Sequence, residues 1–407
     1  MSALRIALLS TGGFLILSLL VLFSAHTPTT FAGVNPVTTV VPVDSGPASV
    51  AVDPAHNQVL VTAQYGNAVD VISSQTYTVT KSLTNVGVAP NFIVPWPGTS
   101  TYLVGDGGTV NASRDLYLLD TTNAGTTGDT ASFFGGPYTN TVSSGPYAGL
   151  YGIAVNPTGG GTIYAADFEG NAVYRINGSG TRTATITGTL NGPYGVTFDA
   201  GRNLVYVSNA GSNTLSVIDG TSDTITQTLT VGAGPHEVRY DSANDRIYVS
   251  NDPDGTVSVI NAATDATVTT IGLGANTNPK RLALDAAHNR LYVTDYSTGT
   301  LQMIDTTTNT SVGPGIVVGT NPLGVDVDSA ANVVYVADPT NNTVAVVNFF
   351  LQTQTPTPSL IATLTPTNTP TNTATPTDTP RATNTPTPTT TSTNEMIPRA
   401  YLPLVAN

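Results

Sequence analysis

The chain has 407 residues, of which only 10% are charged, and its formal net charge at pH 7 is −13. It contains no cysteine, which excludes disulfide bonds and the lipid-modified cysteine of a bacterial lipoprotein. The basic residues form no run, so the clustered positive surface that nucleic-acid binding requires is not expected.

The first 32 residues have the pattern of a secretory signal peptide. Arg5 precedes an apolar stretch over residues 14–23, and the small-residue pattern Thr30-Phe31-Ala32 follows as a cleavage site. The apolar core is too short for a typical membrane span, and no stop-transfer segment follows it. The alternative is an uncleaved anchor. Both interpretations place the rest of the chain outside the cell, and no membrane span is expected in the mature chain.

From residue 33 to residue 351 one pattern repeats about every 43 residues. Each unit has short stretches of alternating Val, Ile, Leu, Tyr and Thr, separated by Gly, Pro, Asn and Asp, which is typical of strands and turns. The aspartates that end the first strand recur every 42 to 44 residues, at Asp199, Asp241, Asp285 and Asp328. A fourth strand is predicted at 224–231 and again at 267–273. Four antiparallel strands per unit of this length predict an all-β propeller.

The number of units decides whether the propeller can close. Seven second strands are predicted, which end at Gln64, Asp106, Asp167, Asn209, Asn251, Asp295 and Asp338. The seventh unit stops after its third strand, Thr343 to Asn348, and residues 37–43 are expected to supply its missing fourth strand. This closure would cover the strand edges that an open array exposes. The first two units are irregular, and their insertions are the expected place for unit-specific loops.

Two of the units contain Tyr206-Val207-Ser208-Asn209 and Tyr248-Val249-Ser250-Asn251, each followed by a strand that ends in Val-Ile-Asp or Val-Ile-Asn. With these motifs the chain resembles the YVTN β-propeller repeat family over about residues 36–350. The resemblance implies a seven-bladed β-propeller of four-stranded antiparallel blades, closed by the N-terminal strand. It does not select a function, because propellers include binding proteins and enzymes.

After the repeats, residues 352–394 consist almost entirely of Thr and Pro, with a few Asn, Ser and Ala. This composition predicts a disordered, extended stalk of a kind that is commonly O-glycosylated. Residues 395–407 include the apolar run Tyr401-Leu402-Pro403-Leu404-Val405, which resembles the endings that follow Thr-Pro stalks on secreted bacterial proteins. We interpret this motif as a recognition signal, the alternative being a disordered tail. It lacks the Leu-Pro-x-Thr-Gly pattern of sortase substrates.

The chain shows few motifs that carry chemistry. It has no phosphate-binding loop, no His-Glu-x-x-His helix and no nucleophile elbow. His56 and His288 occupy the same slot of their units, between two strands, and are interpreted as turn residues. The Asp, Asn and Gln residues that end the second strands are interpreted in the same way rather than as metal ligands. No metal site and no cofactor is predicted.

Charged residues replace small ones on the innermost strands of the last three units: Glu237, Arg239, Arg281 and Asp326, with His236 and Lys280 at the strand entrance. Innermost strands line the central channel, so these groups should converge near one side of it. One interpretation is ion pairing across blade boundaries, Glu237 with Arg281 and Arg239 with Asp326. The other is a polar ligand-binding or catalytic pocket at the channel mouth, with His236 and Glu237 as acid/base candidates.

Aromatic residues form a second candidate surface. Tyr151 and Tyr194 take the strand-entrance position in the third and fourth units, and Tyr138, Tyr147 and Trp96 lie in the irregular part of the chain. Aromatic side chains at a loop rim suit sugar stacking or protein contact. The alternative is that they pack against one another at the rim.

Two functions remain open at this point. The first is a non-catalytic binding or structural module, secreted and displayed on the stalk as a monomer, that binds a cell-wall polymer, a surface-layer neighbour or another protein. The second is an extracellular enzyme similar to the lactonase-like or lyase-like propellers. Resemblance to those enzymes implies His and acidic groups at the channel, often around a divalent metal, and only His236 is well placed. The poverty of catalytic groups favours the first function.

Overall fold

The computed structural model describes residues 36–84, 86–107, 115–121, 130–135, 149–156 and 161–352. The predicted signal peptide (1–32), the Thr/Pro-rich stalk beyond residue 352 and the terminal motif (395–407) lie outside these residues. Within the described ranges, no helix is both long and apolar enough to cross a membrane. The described residues form seven small antiparallel sheets.

The strands are numbered in chain order, and β1 spans Pro36–Pro42. Blade 1 contains β2 (Pro47–Asp53), β3 (Gln58–Ala63), β4 (Ala68–Ser73) and β5 (Thr78–Thr84). Blade 2 contains β6 (Pro90–Pro95), β7 (Thr101–Asp106), β8 (Leu116–Asp120) and β9 (Thr130–Gly135). Blade 3 contains β10 (Leu150–Val155), β11 (Ile163–Asp167), β12 (Ala172–Ile176) and β13 (Arg182–Ile186). Blade 4 contains β14 (Pro193–Asp199), β15 (Leu204–Asn209), β16 (Thr214–Asp219) and β17 (Thr224–Thr230).

Blade 5 contains β18 (Pro235–Asp241), β19 (Arg246–Asn251), β20 (Thr256–Asn261) and β21 (Thr267–Gly272). Blade 6 contains β22 (Pro279–Asp285), β23 (Arg290–Asp295), β24 (Thr300–Asp305), β25 (Thr310–Ser311) and β26 (Ile316–Val317). Blade 7 contains β27 (Val325–Asp328), β28 (Val333–Asp338) and β29 (Thr343–Gln352). In blade 6 the outermost strand is split, because β25 and β26 both pair with β24 and Gly313-Pro314 lies between them.

The seven blades close into a ring. The first strands of neighbouring blades contact one another in order, and β27 of blade 7 contacts β2 of blade 1, so these strands surround the central channel. Strand β1 is the outermost strand of blade 7 and pairs antiparallel with β29, with Thr38 opposite Val347. The prediction of a seven-bladed propeller closed by the N-terminal strand is therefore confirmed.

The final strand is longer than the sequence predicted. Strand β29 runs to Gln352, beyond the expected end at Asn348 and into the first residue assigned to the stalk. The extension has an apolar anchor, because the Phe349 side chain is only 7% exposed and its ring centroid lies 5.7 Å from that of Tyr292 in blade 6. Burial of an aromatic ring offsets the entropy of ordering these residues.

The residues of the repeat signature join neighbouring blades. The Ser250 hydroxyl accepts the Glu237 N–H at 3.0 Å and donates to the backbone carbonyl of Lys280 in blade 6 at 2.8 Å. The Tyr248 hydroxyl is completely buried and donates to Asn309 Oδ1, also in blade 6, at 2.8 Å. From blade 4 to blade 5, the Ser208 hydroxyl donates in the same way to the His236 carbonyl at 2.6 Å, and the Tyr206 hydroxyl donates to the Ala262 carbonyl at 3.3 Å. The tyrosine and serine hydroxyls of the motif therefore make hydrogen bonds to buried polar groups at the blade boundary.

Candidate functional site

A β-bulge in each innermost strand from blade 1 to blade 6 sets the direction of the residues at the channel mouth. In β18 the register shifts between Pro235 and Val238, and β22 shifts at the equivalent place. A bulge leaves residues outside the regular ladder and re-aims their side chains. The residues that lie in these two bulges are His236, Glu237, Lys280 and Arg281.

The carboxylate of Glu237 lies between two arginines. Its side chain has no solvent exposure, and its Oε2 lies 2.8 Å from Arg281 Nη1 while its Oε1 lies 2.9 Å from Arg239 Nη1. Arg281 is also nearly buried, whereas 31% of the Arg239 side chain is exposed. The predicted pair between Glu237 and Arg281 is confirmed. The negative charge of the buried carboxylate is balanced by two arginines, and the hydrogen bond is made by Oε2, since Oε1 has none.

The second predicted pair, Arg239 with Asp326, is wrong. Arg239 pairs with Glu237 on its own strand, and its Nε donates to the Leu282 carbonyl at 3.0 Å. Asp326 Oδ2 instead accepts the Val52 N–H of blade 1 at 2.8 Å. Burial raises the pKa of the Asp326 carboxyl, while the Val52 N–H, the Val327 N–H and the charge of Arg239 act in the opposite direction. The Asp326 carboxylate therefore holds blades 7 and 1 together through the backbone.

Arg281 extends across the channel to rings of two other blades. Its guanidinium carbon lies 4.6 Å from the Phe92 ring centroid in blade 2 and 5.4 Å from that of Tyr194 in blade 4. These are cation–π distances. Because blades 2 and 6 are not neighbours, this contact fills the interior of the channel. Phe92 was missed by sequence reasoning, although Pro90-Asn91-Phe92 aligns with Pro235-His236-Glu237 and marks it as a channel residue.

A pocket of about 380 Å³ lies at the channel mouth, over blades 3, 4 and 5. Its lining residues are Tyr151, Phe168, Tyr194, Ala210, Gly234, His236, Asp252 and Pro253. The pocket thus brings together three predicted residues, Tyr151, Tyr194 and His236. Phe168 and Asp252 were missed, because they belong to the loops after β11 and β19 and carry no repeat signal of their own.

The aromatic rings of this pocket form a continuous series. The ring centroids of Tyr151 and Tyr194 are 4.9 Å apart, and those of Tyr194 and His236 are 3.7 Å apart. Phe168 meets Tyr151 at 5.6 Å and Tyr194 edge-on at 6.2 Å. Tyr194 also contacts Arg281, which connects the wall of the pocket to the ion pair between Arg281 and Glu237.

His236 is held in the neutral form. Burial lowers the pKa of its imidazole well below the usual 6.5, and the positive charges of Arg281 and Lys280 lower it further. The backbone of Lys280 acts on this pKa in the opposite direction. The Nδ1 atom of the ring is buried without a hydrogen-bond partner among the described residues.

Lys280 lies beside the pocket rather than in it. Its ammonium group pairs with Asp252 Oδ2 and lies 5.5 Å from the Tyr296 ring centroid. The pairing neutralises one carboxylate of the pocket wall. Lys280 and Asp252 together connect blades 5 and 6 at the face that carries the pocket.

The other predicted aromatic residues do not join this group. Trp96 follows the end of β6, whereas the pocket residues lie at the start of their innermost strands, so Trp96 is at the opposite face of the propeller. It packs against the core formed by blades 2 and 3. Tyr138 and Tyr147 lie outside the described residues.

The interpretation of His56 and His288 as turn residues is confirmed. His56 Nδ1 lies 2.9 Å from Asp53 Oδ2, and His288 Nδ1 lies 2.8 Å from Asp285 Oδ2, so each ring packs on the aspartate that ends its own strand. The acidic ends of the second strands act similarly, and Asp338 Oδ1, for example, accepts the Thr340 N–H at 3.0 Å. In the part of the chain that the structure describes, no three His, Asp or Glu side chains are grouped as metal ligands.

No family model matches the chain, and no curated protein matches its sequence. Solved structures do match it. A catalytically inactive virginiamycin B lyase variant from Staphylococcus aureus, solved with quinupristin, has a TM-score of 0.63 at 15% identity, covering 77% of this chain and 99% of that one. A streptogramin B lyase has a TM-score of 0.62 at 13% identity, covering 77% and 98%.

A further match is hydrazine synthase from Kuenenia stuttgartiensis, with a TM-score of 0.60 at 16% identity, covering 75% of this chain and 96% of that one. Likeness at such low identity is informative about architecture and not about chemistry. The chain is therefore similar to these proteins in its fold, a seven-bladed β-propeller.

Proposed function

We propose that this protein is a secreted, cell-surface-associated propeller of the YVTN type that binds a ligand without transforming it. The observation that carries the proposal is the pocket of about 380 Å³ at the channel mouth, whose walls include the rings of Tyr151, Phe168 and Tyr194. A concave, mostly apolar pocket with a few polar groups is the usual form of a small-ligand site. The signal peptide and stalk predicted from the sequence support display outside the cell.

The state of Glu237 argues against acid/base chemistry at this pocket. The carboxylate has no exposure, and each of its oxygens faces an arginine at 2.8–2.9 Å. A general base must reach the proton that it removes. Glu237 does not line the pocket, and both of its oxygens are already next to arginines.

The binding role is tested by a thermal-shift panel of soluble muropeptides, aromatic amines and quinupristin on the purified full chain. A ligand at a hundred times its dissociation constant adds about 2.7 kcal/mol to the free energy of unfolding. We expect at least one compound to raise the Tm of the wild type and not that of Tyr194→Leu. The matched control is Tyr65→Leu, since Tyr65 is 73% exposed in blade 1. A panel that never distinguishes wild type from Tyr194→Leu would contradict the proposal.

The alternative is an extracellular lyase-like or lactonase-like enzyme, and one observation favours it. His236 is neutral and lines the pocket, so it is the one predicted catalytic group that a ligand can approach. Incubation with quinupristin or simple lactones, followed by mass spectrometry, separates the two functions. Binding alone leaves the mass of the added compound unchanged. A product that forms with the wild type and is lost in His236→Ala would establish the enzyme.

The proposed location has its own measurement. Expression of the full chain in a bacterial host, followed by antibody labelling of intact cells, is expected to detect the propeller at the surface or in the medium. Removal of residues 1–32 is expected to retain it inside the cell. Retention of the full chain in the cytosol would overturn the proposed location while leaving the pocket hypothesis untouched.

A further inference from the structure

We propose that Asp44, Asp70 and Ser82 form a calcium-binding site at the boundary between blades 7 and 1, where strand β1 closes the ring. The site is separate from the channel-mouth pocket and does not depend on the binding function proposed above. Asp44 follows β1, the outermost strand of blade 7, whereas Asp70 and Ser82 belong to β4 and β5 of blade 1. A cation bound by all three would therefore connect the first and the last blade.

The sequence departs from its own repeat at both acidic positions. Between blades 4 and 5, the Gly232 N–H donates to the Ser258 hydroxyl at 3.4 Å. Between blades 7 and 1, the equivalent bond runs from the Asp44 N–H to Asp70 Oδ2 at 2.6 Å. Asp44 thus occupies a position that is glycine at the other boundary, and Asp70 one that is serine. The repeat makes this backbone contact without any carboxylate, so the fold alone does not require the two acids.

The two carboxylates and the hydroxyl lie next to one another. Ser82 is opposite Asp70 in the pairing of β4 with β5, and its hydroxyl donates to Asp44 Oδ2 at 2.7 Å. Burial raises the pKa of the Asp70 carboxyl and the charge of Asp44 raises it further, while the Asp44 N–H and the Ser82 hydroxyl lower it. Two neighbouring carboxylates repel each other when both are ionised, and a cation between them removes this repulsion.

Asp70 is the buried member of the cluster and lacks compensation for its charge. Its side chain belongs to a residue that is only 1% exposed, and its Oδ1 has no hydrogen-bond partner among the described residues. Glu237 in the channel is balanced by two arginines, whereas the charged group that acts on Asp70 is a second carboxylate. Asp44 and Ser82 are exposed. Rotation of the exposed Asp44 side chain can therefore admit an ion to the Asp70 carboxylate.

The backbone that carries Asp44 is fixed on both sides by one residue of blade 7. The Val43 N–H donates to the Asn342 carbonyl at 3.0 Å, and the Gly46 N–H donates to Asn342 Oδ1 at 2.9 Å. Groups that are already held in place lose less conformational entropy on binding. Calcium bound here would also hold the segment after β1 against blade 1 and so strengthen the closure of the ring.

The donor atoms favour calcium over the other common metal ions. All of them are oxygens, and the exposed side of the cluster leaves space for water to complete a shell of about six to eight ligands. Zinc prefers histidine and cysteine, and magnesium requires a nearly ideal octahedron. Two carboxylates suit the weak calcium sites of extracellular modules, with dissociation constants of about 10⁻⁴–10⁻³ M.

Thermal melts of the purified full chain test the site, after treatment with EDTA and after addition of calcium or magnesium at equal ionic strength. Calcium at about 10 mM, at least ten times such a dissociation constant, is expected to raise the Tm of the wild type by about 2–4 °C. Magnesium is expected to raise it less. Asp70→Asn keeps the shape of the side chain and removes its charge. It should melt in EDTA at or above the wild-type temperature and lose the calcium response.

The matched control is Asp219→Asn, which also removes one carboxylate. Asp219 accepts the Thr221 N–H in a turn of blade 4, and Asn261 makes the same bond in blade 5, so asparagine preserves the turn. This variant is expected to keep the calcium response. Asp44→Gly restores the residue found between blades 4 and 5 and is expected to lose it. If Asp70→Asn does not melt cooperatively, Asp44→Gly replaces it.

Two outcomes would overturn the proposal. A calcium response that persists in Asp70→Asn would mean that the ion binds elsewhere on this acidic chain. A wild type that does not respond to calcium would mean that no metal binds between the carboxylates. A rise in the Tm of that wild type relative to Asp70→Asn between pH 7 and pH 5 would then identify a shared proton in its place, because a raised carboxyl pKa adds stability as the pH falls.

Discussion

At one position of the innermost strand, blades 3 and 4 carry glycine where blades 5 and 6 carry a charged residue. Gly152 and Gly195 occupy the slot that Glu237 and Arg281 occupy two blades later, within the same bulge. A Cβ on Gly195 would lie 2.6 Å from the His236 carbonyl oxygen, and a Cβ on Gly152 would lie 2.1 Å from that of Tyr194. At Gly152 and Gly195 the backbone of the innermost strand therefore packs directly against the backbone of the next blade. Glu237 and Arg281 instead extend long side chains into the channel. One backbone pattern thus produces both close packing between innermost strands and the charged side chains of the channel.

The largest effect is expected from removing the ion pair between Glu237 and Arg281 in blades 5 and 6. Glu237→Ala leaves the Arg281 guanidinium buried without its carboxylate, which costs about 3–5 kcal/mol of unfolding free energy. Chemical denaturation of variant and wild type measures it. The control is Arg175→Ala, which removes a half-exposed pair with Asp223 and should cost no more than about 1 kcal/mol.

The double variant Glu237→Leu with Arg281→Met refines this test. Replacing a buried ion pair with apolar side chains of similar volume is often neutral or stabilising. We expect the double variant to recover most of the stability that Glu237→Ala loses. A double variant as unstable as the single one would show that the pair contributes more than mutual compensation of its charges.

The close packing at the glycines of blades 3 and 4 is tested by adding one methyl group. Gly195→Ala places a Cβ against the backbone of blade 5, and overpacking of this kind costs about 1–3 kcal/mol. The matched control is Gly272→Ala in β21, where an added Cβ meets nothing within 4 Å. Thermal melts of the two variants should therefore differ by several degrees. Equal melting temperatures would mean that the inner strands are less closely packed than described.

The smallest effect is the pH dependence of stability at the junction of the two pairs of blades, where the His236 ring contacts the Tyr194 ring. The folded state lowers the pKa of the imidazole well below 6.5, so its contribution to stability is complete above about pH 6.5 and is lost as the pH falls below that value. One proton changes the free energy by at most about 1.4 kcal/mol per pH unit. We expect the stability of His236→Phe to fall less than that of wild type between pH 7 and pH 5.

The comparison with wild type is essential for this measurement. Burial raises the pKa of Asp70 and of Asp326, and a raised carboxyl pKa acts in the opposite sense, since stability is lost as the pH rises through it. The difference between the two proteins isolates the histidine. Identical pH profiles for wild type and variant would show that His236 is not held neutral by the fold.

Local contacts explain which parts of this protein the sequence predicted well. The repeat and the seven blades follow from strand patterns and turn residues that act over fewer than 50 residues. The closing strand pairs with a strand about 300 residues away, but it was predictable because residues 37–43 precede Gly46-Pro47 as the fourth strand precedes Gly234-Pro235 in another unit. All three predictions are confirmed. The same holds for the pair between Glu237 and Arg281, because they lie at equivalent positions of adjacent blades. Periodicity relates neighbouring units, and a propeller blade contacts chiefly its neighbours.

By itself, then, the sequence determined the ring and which residues face its channel. Only the tertiary structure decided how those residues combine: Arg239 turns to Glu237 instead of Asp326, and Arg281 reaches Phe92 across the channel. It also brought Phe168 and Asp252 into one pocket with the contacting rings of Tyr194 and His236. The physical reason is that these contacts depend on closure, which brings blades 2 and 6 within reach, and on bulges that re-aim side chains. Neither the contacts made on closure nor the direction of the re-aimed side chains can be recognised in the repeat pattern of the sequence.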